Sequence, residues 1–381
     1  MPQAAETPRP ASPRIWLVLG DKLGDNAQVE AIADALGLPC ERKTLRFKPA
    51  YRQGKPAFKA SLYHVDPEAS DRLEPPWPDL VLTIGRRPSM AALWVRRQSG
   101  GRARLVLIGR PKRHAEEFDL IVSTPQYLIP ERPNVVRLSL PLMRADPAAI
   151  RAEAARWEDR LGALPRPLTA VLVGGPTKPF RLDAGVARDL VARVAESLGQ
   201  SGSLFFSTSR RTPPEVVEAL AAALPANAEL FSWQPDRPDN PYLALLGLAD
   251  RCVVTGDSMS MMVEALRAGR PLVIYPLPTG DRGLRRAVAG ALAPTRPGTP
   301  ATVITEGLYR LGLVGYGRDL TALHGELIGR GLAAPIGAQP PRPPAEIPDD
   351  LGKVVARIEA LIATLIATGT EQPADAGSTR R

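Results

Sequence analysis

Three short segments in the second half of the chain combine glycine, hydroxyl and basic side chains: GGPTK (174–178), STSRRTP (207–213) and GDSMS (256–260). Glycine lets a backbone approach a ligand closely, and hydroxyl and guanidinium groups donate hydrogen bonds to phosphate oxygens. Each segment follows a predicted strand and leads toward a predicted helix, whose N-terminus attracts anions. The segments therefore predict a site for a phosphorylated ligand, with plain polar turns as the alternative.

The third segment runs into a helix that carries a carboxylate one turn further on. Ser260 and Glu264 are four residues apart and so share a helix face. Glu264 could accept hydrogen bonds from the ribose hydroxyls of a nucleotide whose phosphates lie at the helix start. A glutamate that is solvated or that packs against its neighbours is the equal alternative.

Two segments of the first half also carry polar groups after predicted strands. In GDKLGDNAQ (20–28), the side chains of Asp21, Lys22, Asp25 and Asn26 either face a ligand or form a plain turn. In the plain turn, Asp25 or Asn26 would cap the following helix. In GRRPS (85–89), Arg86 and Arg87 start a helix, where a cation gains nothing from the helix dipole. A bound anion would account for them, and solvated arginines are the comparable alternative.

The overall charge is compatible with an anionic partner such as a nucleotide, a phosphate or a membrane surface, with a solvated arginine-rich surface as the alternative, and it does not favour nucleic acid. The 381-residue chain has a net charge of +9, with its basic residues scattered and no block of like charges. Aromatic residues make up only 5% of the chain, which leaves little material for stacking bases. We therefore predict no nucleic-acid partner.

Cysteine and histidine are too few and too scattered for a disulfide framework or a zinc site. The two cysteines are Cys40 and Cys252, so we predict a reducing compartment and no metal. The first residues, MPQAAETPRPAS, lack the apolar core of a signal peptide, and no apolar run approaches the ~20 residues needed to span a bilayer. We expect a cytoplasmic protein and leave open a peripheral contact with the inner membrane.

Apolar runs typical of buried strands alternate with helical patterns along the whole chain. In the first half the runs are at 14–20, 79–85, 103–109, 118–124 and 134–140, and in the second half at 168–175, 202–209, 228–233, 251–256 and 270–276. Strands that alternate with helices imply right-handed crossovers and parallel sheets. The predicted fold is α/β, with two Rossmann-like, doubly wound domains that face each other across a cleft.

The composition also predicts the domain boundaries. We expect a disordered N-terminus at 1–13, a first domain at 14–150 and a second domain at 165–335, separated by a helical stretch near 145–168. An amphipathic helix is predicted at 350–368 and a disordered tail at 369–381.

Six motifs in serial order resemble the signatures of the mitochondrial fission "elongated mitochondria" family. They are GDKLGDNAQVEA, GRRPSMAAL, GGPTK, SRRTP, DNPYLALLGLAD and VTGDSMSMMVEALRAGRPL, and the resemblance runs from about residue 14 to about 335. Bacterial members of the family are often labelled glycosyltransferases or nucleoside-diphosphate-sugar epimerases. The GDS-containing motif also resembles the donor-binding motif of GT-B glycosyltransferases, which have two facing Rossmann domains. Since the chain has no G-x-G-x-x-G loop, an NAD-dependent epimerase is poorly supported.

The resemblance implies a nucleotide sugar held mainly by the second domain, and a final helix that returns to the first. We assign the diphosphate to Thr177, Lys178, Arg210, Arg211, Ser258 and Ser260, and the ribose to Glu264. Trp233, Asn240, Pro241 and Tyr242 would flank the base. The predicted substrate-binding set also includes Arg86, Arg87, Gly174, Gly175, Ser209, Gly256 and Asp257.

The first domain would then face the acceptor. Asp21 or Asp25 is the predicted general base if the reaction inverts, and Lys22 and Asn26 would contact the acceptor, an unknown glycan or lipid. Such an enzyme needs no metal or other cofactor, because the helix dipole, hydroxyls and basic side chains can neutralise the departing diphosphate. The alternative is a non-catalytic binding or recruitment protein that retains the fold.

Overall fold

The computed structural model of the chain describes residues 12–52, 56–143, 146–198, 201–235, 237, 239–279, 307–309, 316–344 and 346–370. The predicted disordered ends lie largely outside these ranges. Two six-stranded sheets, parallel throughout, form the centres of the two domains. The predicted α/β fold with two Rossmann-like sheets is confirmed.

In the described residues, the first domain contains the following strands and α-helices. They are β1 (Ile15–Leu19), α1 (Leu23–Leu36), β2 (Cys40–Thr44), α2 (Pro49–Arg52), β3 (Leu80–Ile84), α3 (Arg86–Gln98), β4 (Arg104–Ile108), β5 (Leu120–Ser123), β6 (Tyr127–Leu128) and β7 (Val135–Arg137). The sheet order is β2-β1-β3-β4-β5-β7. Strand β2 was not predicted, because its residues CERKT are polar and half-exposed at the sheet edge, where no apolar run is needed. Strand β7 is shorter than the predicted run at 134–140.

The second domain follows helix α4 (Pro147–Trp157). Its elements are β8 (Leu168–Val173), α5 (Ala184–Leu198), β9 (Ser203–Thr208), α6 (Pro214–Ala223), β10 (Ala228–Phe231), α7 (Tyr242–Leu248), β11 (Arg251–Thr255), α8 (Met259–Arg267), β12 (Leu272–Tyr275), β13 (Gly317–Arg318), α9 (Leu320–Gly329) and β14 (Ala333–Pro335). The sheet order is β10-β9-β8-β11-β12-β14. Taken in chain order this is the 3-2-1-4-5-6 arrangement of dinucleotide-binding folds. The three-residue edge strand β14 was also not predicted.

Each sheet has one point at which the direction of strand winding reverses. In the first sheet this switch point lies between β1 and β3, and in the second it lies between β8 and β11. Ligands of open parallel sheets bind in the crevice outside the carboxyl ends of the strands at such points. The loops after these four strands, together with the helix starts that follow the first two, hold many of the predicted site residues, at 20–26, 85–87, 174–178 and 256–258.

A short segment, residues 317–319, joins the two domains, and we call it the strap. Strand β13 pairs with β6 in antiparallel fashion, so residues 317–318 lie against the first domain although they lead into a helix of the second. The backbone N–H of Asp319 then donates to the Gln126 carbonyl at 2.8 Å, and α9 begins at the next residue. The strap therefore fixes the start of α9 to the first domain.

The last described helix, α10 (Leu351–Thr370), packs on the first domain. Leu351, Val354, Ile358 and Ile362 are buried together with residues of β1, β3 and α1. At its start, an Asp350 carboxylate oxygen accepts from the Ser139 N–H at 2.5 Å. The chain thus returns from the second domain to the first. None of the described helices is both long and apolar enough to cross a bilayer.

Two isoleucines of α10 allow a matched test of this packing. Ile358 is 0% exposed and Ile366 is 52% exposed. We expect Ile358→Ala to destabilise the first domain by about 2–5 kcal/mol, because it removes buried methylene groups and leaves a cavity. Ile366→Ala should change the stability by less than about 0.5 kcal/mol. Thermal unfolding followed by circular dichroism measures both, and equal midpoints for the two variants would contradict this packing.

Candidate functional site

The loops after β8, β9 and β11 meet at the carboxyl edge of the second sheet, and Arg211 connects them. Its Nη1 donates to Thr177 Oγ1 at 2.5 Å, and its Nη2 lies 3.2 Å from Asp257 Oδ2 and 3.4 Å from Ser258 Oγ. The Arg211 side chain is still 47% exposed. Three segments that are separate in the sequence are therefore brought together, as predicted, around a guanidinium group that solvent reaches.

The buried carboxylate of Asp257 holds these loops together through hydrogen bonds. It accepts hydrogen bonds from the Gly175 N–H at 2.9 Å and from Thr255 Oγ1 at 2.8 Å, and it pairs with Arg211. Its side chain is 0% exposed. Burial raises the pKa of Asp257, although its hydrogen bonds and the charge of Arg211 act in the opposite direction. Since protein groups engage both oxygens, Asp257 holds the loops in position here.

The glycines of the site are required by close packing. A Cβ on Gly174 would lie 2.1 Å from Ser258 Oγ and 2.3 Å from Asp257 Oδ2. A Cβ on Gly175 would lie 2.3 Å from the Arg211 carbonyl oxygen. Real Cβ atoms do not approach other atoms so closely. The sequence argument took these glycines as allowing a ligand to approach, whereas the structure shows that they let the loops approach one another.

Hydroxyl groups complete the loop after β9. Thr212 Oγ1 donates to the Gly174 carbonyl at 2.5 Å and lies 3.1 Å from Ser209 Oγ. Ser209 therefore serves the turn itself. Lys178 and Arg210 are exposed on the neighbouring loops, where their charges add to that of Arg211.

The residues predicted to contact the ribose and the base form a hydrogen-bonded pair. The Tyr242 hydroxyl donates to Glu264 Oε2, and burial raises the pKa of both groups. Asn240 Oδ1 accepts from the Tyr242 N–H at 3.0 Å and so orders the start of α7. Trp233 is half-buried near the end of β10. Ser260 is half-buried in the first turn of α8, one turn before Glu264.

His324 is a contributor that the sequence did not reveal. Its Nε2 lies 2.8 Å from the carbonyl oxygen of Gly256, and its ring stacks on Phe180 with centroids 6.0 Å apart. Burial lowers the pKa of His324, which favours the neutral ring, and a neutral Nε2–H can donate to that carbonyl. The histidine follows Gly256 by 68 residues, and no local motif marks it.

At the switch point of the first sheet, the predicted residues after β1 lie close to a predicted arginine after β3. Arg87 Nη1 lies 3.7 Å from Asp21 Oδ1, and Lys22 Nζ lies 3.7 Å from Asp25 Oδ2. Asp21 and Lys22 are exposed and Asp25 is half-buried. Asp21 and Asp25 thus each lie beside a basic group at the carboxyl edge of the first sheet.

The alternative in which Asp25 or Asn26 caps the first helix is wrong. Helix α1 begins at Leu23, and Lys22 stands at the cap position without a side-chain hydrogen bond. Asn26 lies inside the helix, where its Nδ2 donates to the Gly20 carbonyl at 2.9 Å and its Oδ1 accepts from the Gly20 N–H at 3.3 Å. Asn26 therefore closes the loop after β1. Arg86 starts α3 as predicted and donates to the Pro56 carbonyl.

Within the described ranges, no group of three or more His, Cys, Asp and Glu side chains is arranged to hold a metal ion. Cys40 and Cys252 are both free thiols, and burial raises the pKa of Cys252 to about 12.

Comparison with known proteins identifies relatives of the chain. The sequence model of the family described as "Mitochondrial fission ELM1" matches residues 24–292, more than half of the chain. The "Mitochondrial fission protein ELM1" of Arabidopsis thaliana is 29% identical over 220 residues, which cover 52% of this chain and 51% of the plant protein. The chain thus matches about half the length of that relative. The "Uncharacterized protein RP120" of Rickettsia prowazekii is 25% identical over 301 residues, 68% of this chain and 82% of the relative.

Two solved structures are similar to this chain in fold. One is the "S. aureus MnaA-UDP co-structure", with a TM-score of 0.45 and 13% identity, covering 96% of this chain and 100% of the other. Another is a "Glycosyltransferase from Rickettsia africae ESF-5", with a TM-score of 0.43 and 10% identity, covering 93% and 99%.

Gly174→Ala tests whether the loops need this close approach. We expect the substitution to lower the stability of the second domain by about 1–3 kcal/mol or more, because Ser258 and Asp257 must move away. Gly325→Ala is the matched control, since a Cβ there meets nothing within 4 Å on an exposed helical face. Alanine should stabilise that helix slightly. The midpoints of thermal unfolding of the two variants measure these changes. An unchanged midpoint for Gly174→Ala would show that the loops are not packed in this way.

Proposed function

This chain belongs to the mitochondrial fission ELM1 family, and from that premise we propose that it is a glycosyltransferase. It binds a nucleoside-diphosphate sugar at the carboxyl edge of its second sheet and transfers the sugar to an acceptor at the edge of its first. The observation that carries the proposal is the junction at Arg211, which joins three phosphate-compatible loops at the switch point of a Rossmann-ordered sheet.

The junction offers donors to an incoming diphosphate. A guanidinium group has five N–H donors, and that of Arg211 remains half-exposed after its contacts with Thr177, Asp257 and Ser258. Helix α8 starts at the same place, and its N-cap residue Ser258 makes no capping side-chain hydrogen bond. The amides of the first turn of α8 therefore add donors and a partial positive charge. Lys178 and Arg210 supply further positive charge from exposed positions.

The same groups stabilise the leaving group in the transfer step. An acceptor hydroxyl oxygen forms a bond to the anomeric carbon of the sugar while the bond from that carbon to the diphosphate oxygen breaks. The nucleoside diphosphate departs with the bonding electrons, and the negative charge that develops on it lies against Arg211 and the start of α8. In an inverting reaction, Asp21 or Asp25 takes the proton of the acceptor hydroxyl.

Glu264 and Tyr242 are assigned to the nucleoside. Because Tyr242 donates to one carboxylate oxygen of Glu264, the carboxylate is held in one orientation and its other oxygen can accept from a ribose hydroxyl. The hydrogen bond from Tyr242 favours the ionised carboxylate and opposes the effect of burial on the Glu264 pKa. A second candidate is a non-catalytic binding or recruitment protein that retains the fold, since a fold alone does not fix a function.

Arg211→Ala is the direct test of the diphosphate site. We expect the affinities for UDP or GDP and for the corresponding nucleotide sugar to fall roughly tenfold or more, since a hydrogen bond to a charged group contributes about 1.5–3 kcal/mol. Isothermal titration calorimetry measures the affinities. Arg188→Ala removes an exposed arginine from helix α5 and should leave the affinities unchanged. Absence of nucleotide binding by the natural chain would favour the recruitment role.

Tyr242→Phe distinguishes recognition of the ribose from recognition of the diphosphate. We expect it to weaken UDP binding and to leave pyrophosphate binding unchanged, whereas Arg211→Ala weakens both. Removing the hydroxyl also raises the Glu264 pKa further, so that the carboxylate is protonated at a higher pH. The loss of UDP affinity should then be larger at mildly acidic than at mildly alkaline pH. Equal losses for UDP and pyrophosphate would contradict the assignment of this pair to the nucleoside.

A further inference from the structure

Two arginines follow neighbouring paired strands at the carboxyl edge of the first sheet. Strands β3 and β4 are paired so that Ile84 lies opposite Ile108. Arg86 and Arg110 each follow two residues after these positions. Both side chains are half-buried. Their positions are set by the sheet, because the two strands end at the same level.

A third arginine comes from the strap between the domains. Arg318 of β13 lies opposite Tyr127 of β6, and its side chain is exposed. The guanidinium of Arg110 is 5.9 Å from the centre of the Tyr127 ring, and its Nη1 donates to the Tyr316 carbonyl at 2.6 Å. The strap thus brings Arg318 to the same place as Arg110, although the two residues are 208 positions apart in the sequence.

The three charges have no carboxylate partner in the part of the chain that the structure describes. Burial lowers the pKa of Arg110, and the charges of Arg318 and Arg86 act in the same direction, whereas Tyr127 and Tyr309 act in the opposite direction. Burial likewise lowers the pKa of Arg86, with contributions from Arg113 and Arg87. The adjacent acid Asp319 caps α9 by accepting from the N–H and the hydroxyl of Thr321. Like charges that are half-buried together repel one another, and a bound anion would offset that repulsion.

The arginine cluster lies close to the proposed donor site. Helix α9 leads directly from Arg318 to His324, which contacts the Gly256 carbonyl beside Asp257. The four helical steps from Leu320 to His324 rise roughly 6 Å, and the two extended steps from Arg318 to Leu320 add at most roughly 7 Å. An anion held by the cluster would therefore lie within the reach of one sugar acceptor from the diphosphate loops.

We propose that Arg86, Arg110 and Arg318 bind a phosphate group carried by the acceptor, an inference that rests on the proposed glycosyltransferase function. Three guanidinium groups from three chain segments match the three terminal oxygens and the two negative charges of a phosphate monoester better than they match a single carboxylate. The phosphate group belongs either to a soluble phosphate ester or to a lipid headgroup.

The test uses the full chain carrying Arg211→Ala, which weakens phosphate binding at the donor site. Methyl phosphate is the soluble probe, and its binding is measured by ligand-observed NMR. Arg318→Gln should weaken this binding on the order of tenfold. The exposed Arg318 makes its strand pairing through the backbone, so the variant should fold, as circular dichroism can verify. Arg102→Gln is the control, because it removes an exposed arginine at the opposite end of β4 and should have no effect.

A second arm identifies the source of the phosphate group. Vesicles of phosphatidylcholine, with or without phosphatidic acid, are sedimented with the same variants. Binding of methyl phosphate alone assigns a soluble ester, and binding that requires phosphatidic acid and Arg318 assigns a lipid headgroup. Absence of both responses, or equal responses in Arg318→Gln and Arg102→Gln, overturns the inference. UDP titration of the chain with an intact Arg211 is scored separately, so failure of the donor site and failure of the arginine cluster remain distinguishable.

Discussion

The contact between Arg211 and the buried carboxylate of Asp257 is the interaction on which the second-domain site depends. Asp257 is removed from water, which is unfavourable for a charge unless donors surround it. Gly175, Thr255 and Arg211 are those donors. Because Gly175 and Arg211 come from different loops, a charged Asp257 draws these loops together and at the same time orients Arg211. Removing this carboxylate would leave its buried donors unpaired as well as releasing the arginine.

The close approach of the loops explains the types of residue around this contact. Positions 174 and 175 favour glycine, since a Cβ there would force Ser258, Asp257 or the Arg211 backbone to move. Gly256 is similarly confined, because its Cβ would lie 2.9 Å from His324 Cε1. The hydroxyls of Thr212 and Ser209 then satisfy backbone and side-chain groups of the same loops. The glycines and hydroxyls of these loops are therefore required first for packing the loops together. A ligand would bind the hydrogen-bond donors that this packing leaves available.

The strap and helix α9 connect the carboxyl edge of the first sheet to that of the second. One end of this connection pairs with β6 of the first domain, and His324 at its other end contacts the Gly256 turn of the second. Helix α10 then returns the chain to the first domain. A shift between the domains would therefore disturb the Gly256 turn directly. This coupling suits an enzyme that positions a donor and an acceptor together, and it would equally serve a protein that recruits a partner, because a fold alone does not fix a function.

The sequence by itself determined the α/β class, the apolar strands β1, β3, β8 and β11, and the loops that follow them, because buried parallel strands need continuous apolar runs and their ends need polar turn residues. It did not reveal the polar edge strand β2, where half-exposed positions need no apolar run, nor the role of Asn26 inside α1. Only the tertiary structure decided that Asp257 faces protein donors, that Tyr242 pairs with Glu264, and that His324 and Arg318 approach their sites from distant positions. The physical reason is that hydrogen bonds and charge contacts act over a few ångströms in space, whereas a sequence pattern records only neighbours along the chain.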